Sequence, residues 1–479
     1  MLPAASCTRA PRTAGILVND VHSQLNETRV HEIVQPDSIE ALQALVRGAA
    51  RSGRPLSLAG GRHAMGGQQF GAGTTLVDMS LLSRVIGLDR EAGVLEAGAG
   101  IQWPELVDSL HTMQDPAGRV WSIVQKQTGG DRISLGGSLA ANAHGRGLTL
   151  KPIVGEVESF LLVDAAGEII HCSRTENAEL FRHAIGGYGL CGIIATVRLR
   201  LAPRRKVRRV VEVMEIDDVH AAFDRRIRDG YIYGDFQYSP DLASDAGLRR
   251  GVFSCYQPVD DDTPMPAGQK ELSEDDWRHL IYLAHVDRAA AFAAYAKHYL
   301  ATSGQVYWSD THQMSTYVKD YHQALAGRRG MDAAGTEMIT EIYVPRAELA
   351  GFMAVVREDL IRQRADLIYG TIRLIEQDDE TALPWARRSW GCVIFNLHVP
   401  HDAAGRAAAE RQFTGLIERG LERGGSYFLT YHRWADRRQV LAAHPGMIDF
   451  LKHKRRFDPE ERFQSDWYRH YREMFAGDI

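Results

Sequence analysis

The sequence predicts an α+β protein built from two domains. Its 479 residues exceed what one hydrophobic core usually organises, and 44% of them are apolar, which is ordinary for a folded protein. Up to Pro203, short β-rich runs alternate with helical stretches and glycine-rich turns. From Arg204 onward, glycines become rarer, aromatic residues more frequent and helical patterns longer. This change of character places the first domain boundary near Pro203.

In the first half, hydrophobic periodicity and turn residues predict the helices and strands. Ser38, an apolar stripe of period 3.6 and Gly53 predict a helix that opens with a capping box. Strands are predicted at "PLSLAG", "TTLVDMS" and "GVLEAGAG", and a helix at "QWPELVDSLHTM". "VESFLLVDAAGEIIHCS" predicts a β-hairpin that turns at residues 165–167. "ENAELFRHAIGG" predicts a short helix, and "GIIATVRLRLAP" a strand that Pro203 ends.

The second half predicts a sheet covered by helices. "SEDDWRHLIYLAHVDRAAAFAAYAKHYLAT", residues 273–302, predicts a long helical stretch. "EMITEIYVPR", "LIYGTIRLIE" and "WGCVIFNLHVP" alternate with β-branched or aromatic residues and predict strands. A sheet with helices packed over it is the simplest way to bury both kinds of element.

Charge and cysteine content limit the partners of the chain. Its 56 basic and 61 acidic residues leave a net charge of −5, so no overall field draws it to nucleic acid or to an anionic membrane. The 5 cysteines show no CxxC spacing, which argues against a disulfide framework or a structural metal site. No apolar run of about 18 residues and no apolar signal core occurs. We therefore expect a cytoplasmic protein without a membrane span or a metal, whose partner is a small molecule.

Three glycine-rich segments, residues 59–67, 129–147 and 186–192, suggest one extended ligand that bears phosphate groups. Glycine has no Cβ and adopts positive φ, so backbone N–H groups can point into a concavity and bind phosphate oxygens. None of the segments matches GxGxxG before a helix or GxxxxGK[ST], so neither a Rossmann unit nor a P-loop is indicated. Each segment taken alone is also compatible with a tight turn between strands.

Three motifs resemble the flavin domain of vanillyl-alcohol-oxidase type, or PCMH-type, FAD-linked oxidoreductases. They are "GRHAMGGQ" at residues 61–68, "LGGSLAANAHGRG" at 135–147 and "NAELFRHAIGGYGLCGIIATVRLRLAP" at 177–203. The first is most similar to cytokinin dehydrogenases, whereas "HGRG" resembles the aldonolactone and alditol oxidase branch. The resemblance covers roughly residues 30–205.

The resemblance implies a specific domain organisation. It predicts a PCMH-type FAD-binding domain of two subdomains over residues 25–205. A cap-like substrate domain, an antiparallel sheet covered by helices, is predicted over residues 206–445. The segment 446–479, which holds an "FDP" motif of the family, is predicted to return to the first domain.

In both branches of the family the loop histidine is bonded to the 8α-methyl carbon of the flavin, so the resemblance implies FAD attached to His63. A neutral imidazole nitrogen is a nucleophile suited to that bond. No cysteine lies between Val120 and Gly147, which removes the family's second tether and predicts a single one. The other predicted cofactor contacts lie in the glycine-rich segments and near the C-terminus: Gly60, Gly61, Arg62, Ala64, Gln68, Thr128, Ser134, Gly137, Ser138, Asn142, His144, Gly145, Gly192, Ile194 and Gln464, with Trp467 beside it.

Predicted catalytic residues come from segments of the second half. Oxidation of an alcohol or amine by a flavin needs hydride delivery to flavin N5 and an acceptor for the O–H or N–H proton. "GTIRLIEQDD" resembles an alditol-oxidase strand, with Arg373 matching its arginine and Thr371 standing where its glutamate would be. "VIFNLHVP" resembles a cytokinin-dehydrogenase segment, where Asn396 matches and His398 shares its strand face.

"FLTYHRW" falls where both branches place a residue over the flavin, so Tyr431 or His432 is predicted to orient the substrate or to act as base. The sequence thus predicts an FAD-dependent oxidase or dehydrogenase that acts on a CH–OH or, alternatively, a CH–NH group. Dioxygen or another electron acceptor would complete the reaction, and the substrate is of aromatic, polyol or lactone type. A non-redox ligand-binding protein on the same fold is the other interpretation.

Overall fold

The computed structural model describes residues 15–479 except 116–117, 317, 319–320 and 330–333. The N-terminal residues before 15, Cys7 among them, lie outside that range. No helix in the described part of the chain combines the length and the apolar character needed to cross a membrane.

The strands and α-helices of the first half are short and alternate along the chain. They are β1 (Ile16–Val18), β2 (Thr28–Val30), β3 (Glu32–Val34), α1 (Ile39–Ser52), β4 (Leu56–Ala59), β5 (Thr75–Asp78), β6 (Val85–Asp89), β7 (Val94–Gly98), α2 (Trp103–Thr112), β8 (Trp121–Ser122), α3 (Leu135–Ala141), β9 (Val157–Val163), β10 (Ile169–Ser173), α4 (Ala178–Ala184), β11 (Ile193–Arg200) and β12 (Ala202–Pro203).

The second half has longer strands and most of the long helices. They are β13 (Lys206–Glu215), α5 (Ile216–Arg228), β14 (Tyr233–Tyr238), β15 (Arg250–Val259), α6 (Glu274–Val286), α7 (Arg288–Ala301), β16 (Val306–Trp308), α8 (Tyr321–Arg329), β17 (Gly335–Val344), α9 (Leu349–Arg362), β18 (Leu367–Ile375), β19 (Trp390–Pro400), α10 (Ala403–Leu421), β20 (Ser426–Tyr427), α11 (Arg437–Ala443), α12 (Met447–Phe457) and α13 (Asp466–Met474).

Two sheets organise the first half. A parallel sheet has the order β3-β5-β4, with α1 as the crossover between β3 and β4, and an antiparallel sheet has the order β10-β9-β11-β7-β6. The predicted strands at β4, β5 and β7 and the β9–β10 hairpin are confirmed, with Gly167 at φ 82° in the hairpin turn. The predicted capping box of α1 is only half made. Ser38 accepts a hydrogen bond from the Ala41 N–H, but alanine at the third helical position has no side chain to return it.

The second half is dominated by one antiparallel sheet of eight strands, in the order β16-β13-β15-β14-β18-β19-β17-β20. The three strands predicted from sequence, β17, β18 and β19, are confirmed and lie side by side, and α10 packs against β17 and β19. The α+β prediction, a sheet covered by helices, therefore holds.

The stretch predicted as helical over residues 273–302 forms two helices rather than one. Asp287 leaves the helical conformation, with φ −154° and ψ 82°, and its side chain accepts a hydrogen bond from the Ala290 N–H. Aspartate competes for backbone donors in this way and starts a second helix. The apolar period continues on both sides of the break, which is why the pattern alone does not reveal it.

The C-terminal segment pairs with the parallel sheet of the first half. The Leu56 N–H donates to the Arg462 carbonyl at 2.7 Å, and the Gln464 N–H donates to the Leu56 carbonyl at 2.7 Å. Asp458 holds this return, because its carboxylate accepts the N–H groups of Arg462 and Phe463 and pairs with the Lys454 ammonium in a fully buried contact. The exact domain boundaries at 25, 205 and 445 stay predictions.

Candidate functional site

One large cavity lies between the glycine-rich segments of the first half and one face of the eight-stranded sheet. Its volume is about 1030 Å³, at the upper end of the range of roughly 300–1,000 Å³ that small-molecule sites occupy. On the first-half side it is lined by parts of residues 58–69, 127–146 and 188–194. The sheet contributes residues from β13, β14, β16, β17, β18 and β19: Arg209, Asp235, Gln237, Tyr238, Tyr307, Glu337, Ile339, Glu341, Ile368, Tyr369, Arg373, Ile394 and Asn396.

Most of the predicted cofactor residues line this cavity. They are Gly60, Gly61, Arg62, His63, Ala64, Gln68, Thr128, Ser134, Gly137, Ser138, Gly192 and Ile194. Asn142, His144, Gly145, Gln464 and Trp467 are not among the lining residues. The three glycine-rich segments, which lie far apart in the sequence, therefore meet at one wall.

Glycines allow the first two of these segments to touch. A Cβ on Gly60 would lie 2.0 Å from Ser134 Oγ, and one on Gly61 would lie 2.2 Å from the Arg132 carbonyl oxygen. Arg62 adopts φ 59°, and its side chain pairs with Asp78 at 3.1 Å. Close packing of the two loops, as well as exposure of backbone N–H groups, therefore requires glycine here.

His63 lies in this wall with its ring paired to a second histidine. Its Nδ1 is 2.7 Å from Nε2 of His22, and the two ring centroids are 4.8 Å apart. Burial and the neighbouring His22 lower the pKa of His63 to about 3. The imidazole is therefore neutral at physiological pH, the form that is nucleophilic.

The predicted cofactor residues outside the lining have structural partners. Asn142 ends α3 at φ 49°, donates to Asp378 and accepts from the Val154 N–H. Gly145 donates its N–H to Gln125 Oε1 at 3.0 Å. The Gln464 side chain donates to the Glu461 carbonyl at 2.8 Å.

A buried carboxylate that sequence reasoning missed stands at the sheet side of the cavity. Glu341 Oε2 lies 2.8 Å from His144 Nε2 and accepts the Tyr343 hydroxyl at 2.8 Å, while Oε1 accepts the Tyr431 hydroxyl at 2.6 Å. Burial alone would raise the pKa of Glu341, but His144 and Tyr431 lower it to about 2. Glu341 is thus ionised and fully hydrogen-bonded, so it positions these side chains rather than accepting a proton near neutral pH.

Three of the predicted catalytic residues, Arg373, Asn396 and Tyr431, line the cavity, whereas His398 and His432 do not. His398 Nδ1 lies 3.1 Å from Glu337 Oε1 on the sheet. His432 packs against Phe413 and Trp434, and burial lowers its pKa to about 3.

Several buried polar atoms on the cavity wall lack a hydrogen-bond partner among the residues that the structure describes. They are Arg373 Nε and Nη1, Asn396 Oδ1 and Thr128 Oγ1. Buried polar groups are normally satisfied, so donors and acceptors left over on a cavity wall suit a polar ligand. Together with the glycine-lined backbone and the neutral His63, they fit an extended cofactor with phosphate and ring heteroatoms.

A second carboxylate missed from the sequence, Glu337, lies four residues before Glu341 on β17. It is surrounded by His285, His322 and His398; burial alone would raise its pKa, but these histidines hold it well below the usual value. The sequence pattern that could have revealed both carboxylates lies in "EMITEIYVP", where two acidic residues share one face of an otherwise apolar strand. His22 carried no such signal, because it lies in a loop without periodicity.

Comparison with known proteins gives matches for part of the chain. Residues 30–173 match the family model of an FAD binding domain. A stretch of 215 residues is 32% identical to L-galactono-1,4-lactone dehydrogenase 1, mitochondrial, of Oryza sativa subsp. japonica, covering 42% of this chain and 34% of that protein. Cytokinin dehydrogenase 10 of the same organism is 31% identical over 200 residues, with coverages of 39% and 34%. L-gulonolactone oxidase of Bos taurus is 27% identical over 170 residues, with coverages of 36% and 37%.

The matched stretch thus spans about a third of the length of these relatives. The residues matched by the family model, 30–173, contain the first two glycine-rich segments. The chain therefore carries a PCMH-type FAD-binding domain, with relatives among both the aldonolactone oxidases and dehydrogenases and the cytokinin dehydrogenases.

Proposed function

We propose that this protein is an FAD-dependent oxidoreductase that holds its flavin covalently through His63 and oxidises a C–OH or C–NH group of a small molecule. The observation that carries the proposal is a single cavity that joins the loops of the FAD-binding domain to a polar sheet face. The bound flavin supplies a hydride acceptor, and dioxygen or another acceptor removes the electrons.

The surroundings of His63 support a single tether at this residue. The ring is neutral, and its Nδ1 is engaged with His22 Nε2, which fixes the orientation of the imidazole. We assign the flavin bond to this imidazole, whose ring also makes a hydrogen bond to the backbone of Arg132. The family's second tether would need a cysteine in residues 120–147, and the sequence has none there.

Side chains of the sheet supply the substrate-facing groups. Within the described part of the chain, Asn396 Oδ1 has no donor, so it can accept the O–H or N–H of the substrate. Arg373 Nε and Nη1 have no acceptor there and can donate to a substrate oxygen. Burial and the adjacent Glu341 raise the pKa of Tyr431 well above its usual value, so its hydroxyl stays protonated. Because that hydroxyl donates to Glu341, its oxygen remains available as an acceptor.

Both C–O and C–N substrates are compatible with the relatives of this chain. The relatives named as a lactone dehydrogenase and a cytokinin dehydrogenase match this chain at 32% identity over 215 residues and at 31% over 200 residues. The aromatic and polar lining of the cavity suits either class.

Anaerobic reduction of the purified protein tests the proposal. We expect a yellow protein whose flavin absorbance bleaches with one class in a panel of aldonolactones, alditols, phenolic alcohols and secondary amines. A protein that is purified without flavin, or a flavin that none of these donors reduces, would contradict the proposed function and favour a non-redox binding protein.

A variant of Glu341 tests the role of the sheet side. Glu341→Gln should slow flavin reduction by the active donor class roughly 10- to 100-fold, because charge-assisted hydrogen bonds of about 1.5–3 kcal/mol are weakened at Tyr431 and His144. Glu376→Gln is the matched control, since Glu376 pairs with Arg346 and does not line the cavity. Equal rates of flavin reduction in both variants would show that Glu341 has no role in the reaction.

A further inference from the structure

A buried cluster of two histidines and one glutamate lies at one side of the cavity. Glu337 of β17 and His398 of β19 are direct partners across the two strands, and His285 comes from α6, which packs over the sheet. Glu337 Oε1 lies 3.0 Å from His285 Nε2 and 3.1 Å from His398 Nδ1. None of the three side chains is more than 5% exposed.

The second carboxylate oxygen of Glu337 has partners of its own. Oε2 lies 2.9 Å from His322 Nδ1 and accepts the hydroxyl of Tyr321. These contacts fix the plane of the carboxylate and direct Oε1 to the other two imidazoles. In metal centres, ligating carboxylates are commonly oriented by such hydrogen-bonded neighbours.

We propose that His285, Glu337 and His398 bind a divalent transition-metal ion of the Zn²⁺ type. Imidazole nitrogen and carboxylate oxygen are the donors that such ions prefer, and two histidines with one glutamate form the ligand set of many catalytic zinc sites. The three donor atoms lie within 4.8 Å of one another. Neighbouring ligand atoms of a tetrahedral zinc ion are about 3.4 Å apart, so the two short distances need to widen by only a few tenths of an ångström.

The geometry leaves one coordination position towards the cavity. His285 and Glu337 line the cavity, whereas His398, the partner of Glu337 on the neighbouring strand, does not. An oxygen donor of a cavity ligand, or a water molecule, would occupy that position, as in three-ligand zinc sites. This inference goes beyond the proposed flavin chemistry, because metal binding here requires no flavin.

A second cluster, formed by His144, Glu341 and Cys392, also brings its donor atoms within 4.8 Å but is less suited to a metal. Glu341 already accepts hydrogen bonds from Tyr343 and Tyr431. Burial and Glu341 raise the pKa of Cys392 well above its usual value, so the thiolate that a metal requires does not form readily.

Metal uptake by the full-length, tag-free protein tests the proposal. After treatment with a chelator and desalting, the wild-type chain is titrated with Zn²⁺ by calorimetry, and its metal content is measured by mass spectrometry. We expect a single Zn²⁺ per chain. Glu337→Gln and His398→Gln should each weaken binding roughly 100-fold or more, since even partners behind a ligand contribute about 10- to 100-fold.

Loading with Co²⁺ provides a spectroscopic readout. The wild-type protein should give the visible absorption of four-coordinate cobalt with nitrogen and oxygen ligands, and the two variants should lack it. His444→Gln is the matched control, because His444 is a buried histidine that packs on Tyr427 instead of an acidic residue; it should bind metal like the wild type.

Two results would overturn the metal site. One is the absence of stoichiometric Zn²⁺ and Co²⁺ uptake by the wild-type protein, and the other is equal uptake by the wild type and Glu337→Gln. Flavin content, measured on the same samples, should not follow the metal content. A failed metal site is therefore distinguishable from a failed flavin function.

Discussion

His63→Ala is expected to release all of its flavin on acid precipitation, whereas the wild-type protein keeps the yellow colour in the pellet. The substitution removes the imidazole that we assign to the covalent bond but leaves the glycine-rich segments that line the cavity. FAD should therefore still bind, without the bond. The measurement is flavin absorbance in pellet and supernatant, with mass spectrometry of the peptide that contains residue 63.

The control for this variant is His31→Ala, an exposed histidine outside the cavity lining, which should retain acid-stable flavin. Acid-stable flavin in His63→Ala would place the tether at another residue. Flavin that acid releases from the wild type would exclude a covalent bond altogether while leaving the FAD-binding domain unaffected. His22→Ala adds a further comparison, and we expect slower attachment because the ring of His63 loses its partner.

Local patterns were sufficient to predict the elements that carry the cofactor loops. The strand ends at Ala59 and the hairpin turn at Gly167 follow from alternation and turn residues, which need no knowledge of distant contacts. The order of the three glycine-rich segments indicated the domain, and the structure gathers them around one cavity.

The sheet side could be predicted only in part, because its contacts are long-range. His144 and Glu341 are 197 residues apart in the sequence and 2.8 Å apart in the structure. His285 reaches Glu337 only through the packing of α6 on the sheet. The periodicity of a single segment does not predict such long-range contacts.

The paired prediction of Tyr431 or His432 illustrates what local geometry can decide. Tyr431 and His432 lie in an irregular stretch after β20, where residues 429–430 form a turn and Tyr431 a bend, so the local turn geometry decides which side chain faces the cavity. Tyr431 lines the cavity and donates a hydrogen bond to Glu341, while His432 packs against Phe413 and Trp434. Which of the two faces inward depends on how this irregular stretch packs against the sheet, and the sequence carries no signal for it.

Glu156→Gln is expected to stabilise the protein strongly in alkaline solution. Burial raises the pKa of Glu156 from 4.5 to about 8, and the contacts with Gln125, Arg174 and Arg200 only partly oppose this. A folded-state pKa above the unfolded value means that the folded chain holds an extra proton between these two limits. The contribution of the protonated Glu156 carboxyl to the unfolding free energy of the wild type is therefore complete below pH 4.5. It is lost as the pH rises to about 8.

The size of this loss follows from the proton affinity. Each tenfold change in affinity corresponds to about 1.4 kcal/mol, so the wild type should lose about 5 kcal/mol of unfolding free energy between these limits. Glutamine has nearly the same shape, accepts from Gln125 and carries no titrating group. Denaturant unfolding at pH 5 and pH 9 should thus show similar stability of the two proteins at the lower pH and a large advantage of Glu156→Gln at the higher one.

The control is Glu168→Gln, because the Glu168 side chain is 62% exposed and its replacement should give no advantage at pH 9. Equal pH dependence of Glu156→Gln and the wild type would show that Glu156 is ionised in the folded protein.

Ionisation of Glu156 should also affect flavin binding at the cavity wall. Gln125 donates to Glu156 and accepts the N–H of Gly145 in the second glycine-rich segment. A negative charge on Glu156 strengthens the first hydrogen bond and so shifts the side chain that holds Gly145. Flavin release from His63→Ala, where no covalent bond masks affinity, should therefore become easier above pH 8 and lose this pH dependence when Glu156→Gln is added.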